Sequence, residues 1–76
     1  MADLDRVRWR CRRGLLELDL VLAAFLDRGY GRLDADERRL FEELLDRPDN
    51  DLLDLALGRC EPEPRYRAVV DALRSA

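Results

Sequence analysis

Ten of the twelve residues from Leu15 to Leu26 are apolar, and only Glu17 and Asp19 interrupt them. A chain of 76 residues can build one small core and no more. A segment this apolar therefore sets its axis. Wound as an α-helix, these positions nearly encircle the rod, the pattern of a helix buried on most sides. The longest unbroken apolar run, Leu20 to Leu26, is seven residues, against the roughly 18 or more that a membrane-spanning helix needs. The segment predicts a central helix from Leu15 to Arg28, ended by Gly29, with no membrane insertion.

Helical periodicity continues on both sides, and no stretch shows sustained apolar–polar alternation. A short first helix is expected from Leu4 to Arg13, with Asp3 as N-cap and Val7 and Cys11 on one apolar face. Gly29-Tyr30-Gly31 reads as a turn. Asp34 and Glu37 have the spacing of a capping box, and Leu40, Phe41, Leu44 and Leu45 give the third helix its apolar face. That helix should stop near Arg47, because Pro48 disfavours helix in the residue before it. Asp49-Asn50-Asp51 offers caps for a fourth helix through Leu57, ended by Gly58. After the rigid Glu61-Pro62-Glu63-Pro64 turn, Pro64 suits the first turn of a fifth helix, in which Tyr66, Val69, Val70 and Leu73 share a face. Tyr30 and Phe41 read as core, the Tyr30 hydroxyl near the surface. The expected fold is all-α, a single compact five-helix bundle spanning residues 1–76 as one domain.

Composition narrows function. The chain has no histidine, which removes the commonest general base and metal ligand and any histidyl-linked cofactor. No glycine-rich phosphate loop is present, so neither FAD nor a metal is expected to bind the chain itself. Cys11 and Cys60 stand apart without CxxC spacing and read as reduced, unpaired thiols of a cytoplasmic protein. Asp3 and Asp5 among the early arginines argue against a transit or signal peptide. Residues 1–14 carry five arginines against two aspartates, while the remainder is acidic and the whole chain is −3. Because Arg6, Arg8, Arg10 and Arg12 alternate, a helix scatters them instead of lining them into a phosphate-binding stripe, and nucleic acid is not the expected partner.

Gly14 separates the basic segment from the apolar one. It can end the first helix as a left-handed cap, or leave the main chain open to a closely approaching partner. Arg13 and Glu17, four apart, would share a face of any helix through them. Trp9-x-Cys11-Arg12-Arg13-Gly14-x-x-Glu17-Leu18-Asp19 resembles the signature of the SdhE family, small flavinylation factors of succinate dehydrogenase whose hallmark is Arg-Gly-x-x-Glu. The likeness runs on through Phe25, Tyr30, Leu33 to Glu37, Phe41, Leu44-Leu45 and Asp51-Leu52, from about Val7 to Leu57.

The resemblance implies a five-helix fold and a function without catalysis by the chain itself. It implies an assembly chaperone that binds the flavoprotein subunit of succinate dehydrogenase or fumarate reductase and promotes covalent attachment of FAD to that partner. Carried over residue by residue, Arg13, Gly14 and Glu17 are the contact core, with Trp9, Arg12 and Asp19 in support. A bacterial cytoplasmic protein, monomeric when free, is the expectation. Leu55 stands near a position where members usually carry tryptophan, and Cys60 near a usual glycine. An antitoxin-like or regulatory protein-binding module, and a small nucleic-acid adaptor, are the alternatives.

Overall fold

The computed structural model describes residues 2–75, with side chains from residue 5 onward. Among these the secondary structure is entirely helical: α1 (Ala2–Arg10), α2 (Leu16–Arg28), α3 (Ala35–Leu44), α4 (Asp49–Ala56) and α5 (Arg67–Ser75), with 3-10 turns at Tyr30–Arg32 and Pro64–Tyr66. The five expected helices are all present. No helix among the described residues is long and apolar enough to cross a membrane.

One hydrophobic cluster joins all five helices. α2 contributes Leu18, Leu22 and Phe25, each fully buried, and packs on α4 and α5. Val69, Val70 and Leu73 of α5 close the core from the far side. Phe25, Phe41 and Tyr30 form an aromatic cluster with centroids 4.9–6.3 Å apart, in the tilted and edge-on arrangements that aromatic rings favour. Leu55 is buried in the core. The Asp34–Glu37 capping box forms as its spacing predicts, with Asp34 Oδ1 accepting from the Glu37 amide and Glu37 Oε1 from the Asp34 amide.

Several boundaries differ from the sequence-based expectation. α1 starts at Ala2, so Asp3 lies inside the helix and is not its cap, and α1 ends at Arg10 instead of Arg13. α3 stops at Leu44, three residues early, because a side chain from elsewhere takes the carbonyls beyond it. α4 has Pro48 at its cap position with no side-chain cap, and Asp49 is engaged by another partner. Pro64 opens a 3-10 turn, and α5 begins only at Arg67.

The largest correction concerns α2. It is not enclosed on most sides: Leu16 is 73% and Leu20 62% exposed, on the side opposite Leu18, Leu22 and Phe25. Four partner helices of 8–10 residues are too few and too short to surround a 13-residue rod. A domain this small keeps its longest helix at the surface.

Candidate functional site

The link between α1 and α2 carries the residues that the sequence singles out. Gly14 lies in it with φ +80°, the left-handed region that favours glycine. It is neither helical nor the cap of α1, which ends four residues earlier. A Cβ built at Gly14 would meet nothing within 4 Å. The glycine therefore serves the backbone turn, and the space above it is open to solvent.

Asp19, in the first turn of α2, holds this turn from inside. One carboxylate oxygen accepts from the Arg13 amide at 2.8 Å and the other from the Gly14 amide at 3.2 Å. Two loop amides thus find their acceptor on the helix that follows, the logic of an N-terminal cap supplied from within the helix.

Arg13 points away from Glu17. Its Nε donates to Asp49 Oδ1 at 2.7 Å, Nη1 to the Leu45 carbonyl at 2.6 Å and Nη2 to the Arg47 carbonyl at 2.7 Å. The guanidinium fork clamps the link onto the α3–α4 junction, where the last carbonyls of α3 favour a cation. Arg13 and Glu17 do not share a helix face, because Arg13 precedes α2 in non-helical backbone.

Arg12 behaves differently from its neighbour. Its guanidinium lies 5.8 Å from the centroid of the Trp9 ring and meets no carboxylate among the described residues. Arg6, Arg8, Arg10 and Arg13 each have one, on Glu42, Asp27, Asp46 and Asp49. Trp9 is 71% exposed on the outer side of α1, an unburied aromatic and not part of the core. Glu17 is exposed and unpaired among the described residues. The link thus presents one unpaired cation stacked on an aromatic and one unpaired anion, with an unobstructed glycine between them. An open groove between α1 and α2 runs beneath, lined by Arg8, Arg12, Gly14, Asp19 and Ala23 among others.

Nothing in this groove resembles a catalytic constellation. Cys11 lies at its floor, and burial pushes the thiol up to about 11 against the partial pull of Arg13, Arg10 and Arg8. It stays protonated at neutral pH and is no nucleophile. Cys60 is exposed, and both cysteines are free. Among the described residues no polar or charged residue is fully buried and no group of three or more His, Cys, Asp or Glu could hold a metal.

Of the six residues expected at the site, the structure brings Trp9, Arg12, Gly14 and Glu17 to the surface, and commits Arg13 and Asp19 to internal bonds. Sequence reasoning missed Asp49, whose link to Arg13 is too distant in sequence to leave a pattern. It also missed the exposure of Leu16 and Leu20, hidden in a segment that only Glu17 and Asp19 interrupt.

The fold and this surface define a small all-α protein with an open patch in place of an enclosed pocket. Residues 5–76 match the family described as flavinator of succinate dehydrogenase (Sdh5), and the chain belongs to that family of FAD assembly factors. Among its relatives, the FAD assembly factor SdhE of Ralstonia nicotianae is 44% identical over 75 residues, covering 92% of this chain and 79% of that protein. The SdhE of Methylococcus capsulatus is 42% identical over 76 residues, covering 99% and 92%. That of Coxiella burnetii is 45% identical over 58 residues, 76% of this chain and 71% of that protein. No solved structure matches the chain.

Proposed function

We propose that this chain docks on the flavoprotein subunit of succinate dehydrogenase, with fumarate reductase as a second client, and promotes covalent attachment of FAD to it. The bond-forming chemistry belongs to the flavoprotein and its flavin. The chain contributes by binding the attachment-competent conformation more tightly than others, the only way a binding protein shifts such an equilibrium. It works in the bacterial cytoplasm as a monomer that carries neither flavin nor metal and is not itself an enzyme.

The observation that carries this reading is Gly14: left-handed, without a neighbour over its Cα, and flanked by the unpaired Arg12 on Trp9 and the unpaired Glu17. Arg12, Gly14, Glu17 and Trp9 are the contacts. Arg13 and Asp19 hold the loop in shape. A nucleic-acid reading is weakened because the carboxylates of Glu42, Asp27, Asp46 and Asp49 already occupy four of the five arginines near the N-terminus.

Gly14→Arg tests it, read by co-purification with the flavoprotein and by in-gel flavin fluorescence of that subunit in cells lacking the native helper. Binding and fluorescence should both be lost. Any side chain here also strains the backbone by about 1–2 kcal/mol, and alanine is not exempt, since the conformation is left-handed and not helical. Gly14→Asn separates the effects: asparagine tolerates this region yet adds bulk at the contact. It should fold nearly as well as wild type and bind much more weakly. A Gly14→Arg protein that folds, binds and restores fluorescence refutes the docking reading.

A further inference from the structure

Among the described residues four large apolar side chains are well exposed: Trp9, Leu16, Leu20 and Leu57. The first three lie on the two helices that flank Gly14. Leu16 and Leu20 are one turn apart and therefore neighbours on the outer side of α2, and Glu17 adjoins Leu20 at i, i+3. The fold does not need these leucines, since α2 already buries Leu18, Leu22 and Phe25 on its inner side. Leu16 and Leu20, 73% and 62% exposed, thus form with Glu17 an apolar strip that no other part of the described fold covers and that adjoins the open Gly14 link.

We propose that the Leu16–Leu20 face of α2 is a second part of the docking surface, and that it receives an apolar segment of the flavoprotein subunit bearing a basic residue for Glu17. The inference rests on the docking reading and extends it along α2. Continuity supports it, because Glu17 lies within both the loop site and this face. Charge supports it as well. α2 carries Glu17, Asp19 and Asp27 against a single base, Arg28, at its far end. Asp19 is used by the loop and Asp27 faces Arg8, which leaves Glu17 to meet a cation from outside. A second copy of this chain fits less well: a two-fold pairing centred on these leucines brings two Glu17 carboxylates together, with no α2 base nearby.

The test is a Leu16→Gln/Leu20→Gln double variant, since glutamine is nearly as good a helix former as leucine. Affinity for the purified flavoprotein subunit is measured by titration calorimetry beside wild type and Gly14→Asn, with thermal melting as the control. The double variant should melt like wild type and bind about tenfold more weakly or worse. Wild-type binding by the leucine variant, with binding lost in Gly14→Asn, overturns the extension and leaves the loop site standing. Wild-type binding by both variants overturns both. If sedimentation velocity instead shows a wild-type dimer that the double variant abolishes while flavoprotein affinity stays unchanged, the face belongs to a second copy and the proposal fails. Should the double variant melt early, Leu16→Gln alone, at the more exposed position, decides between the same outcomes.

Discussion

Arg12 and Arg13 are adjacent in the chain and belong to different regions of the molecule. On the inner seam, where α1 and its link meet α3 and α4, charges are matched. Arg6 pairs with Glu42, Arg10 with Asp46 and Arg13 with Asp49. Beyond it, Arg47 pairs with Glu63, and Tyr66 donates to Glu43 between two stacked guanidiniums. On the outer face of α1 and α2, Arg12 rests on an exposed indole and Glu17 has no partner among the described residues. The same residue types thus do opposite things. In the seam they fasten short helices whose shared core is small; outside they are left uncompensated at an open glycine. The Arg-Gly-x-x-Glu pattern therefore splits in the fold: Arg13 is a clamp, while Gly14 and Glu17 lie exposed, and they form the contact surface in the function proposed above.

The largest expected effect tests the clamp. Arg13 has only 16% of its side chain exposed and satisfies two carbonyls and a carboxylate. Arg13→Ala should destabilise the fold by about 3 kcal/mol, since charge-assisted bonds are lost and their acceptors are left facing one another. Arg13→Lys should recover only part of this, because an ammonium cannot reproduce the fork. Urea denaturation measures both. A stable Arg13→Ala protein that fails only in binding would erase the distinction and return Arg13 to the contact surface.

Cys11 sharpens the seam from below. Burial raises its thiol pKa from 9.0 to about 11, so the folded state holds the proton that the unfolded chain gives up. The contribution is complete below pH 9 and is lost as pH rises towards 11. At about two pH units this is roughly 2–3 kcal/mol. Denaturation at pH 8 and pH 10.5 should show wild type losing more stability than Cys11→Ala, beyond any loss common to both from Tyr66, whose pKa is raised first by its bond to Glu43. Equal losses would mean that the thiol titrates freely.

The outer face should respond in the opposite manner. Arg12→Ala and Glu17→Ala should each leave the melting curve within about 0.5 kcal/mol of wild type, and each should weaken flavoprotein binding by about 1–2 kcal/mol. Calorimetric titration paired with melting reads both quantities. If either variant unfolds, that residue belongs to the seam.

The division between these regions could not be read from the chain, although much else could. Local signals carried well. The capping box at Asp34, the apolar spacing of α5 and the existence of five helices depend on residues three to seven apart, and all three are present. The α1 and α3 ends moved because the Arg13 clamp joins residues 32 to 36 apart, and a contact at that separation leaves no periodic trace. The apolar circumference of α2 misled for another reason. An all-round apolar pattern does not say which side the core covers, and in a chain this short the neighbouring helices cover only the side of Leu18, Leu22 and Phe25. Gly14 was legible as a break but not as a conformation, since cap and open turn ask for the same residue.

The smallest expected effect bounds the surface from its far side. Asp34 caps the N-terminus of α3, whereas the Arg13 clamp grips residues just past its C-terminus. Ten residues of helix place those ends about 15 Å apart. Asp34→Ala removes one half of the capping box and should cost about 1 kcal/mol. Asp34→Asn should cost little, because an amide oxygen accepts from the Glu37 amide equally well. Neither variant should change flavoprotein affinity once the folded fraction is allowed for, since α3 lies on the seam side of the molecule. A binding defect in fully folded Asp34→Ala would mean that the partner reaches around to the start of α3, and the contact surface would then have to be redrawn across both regions.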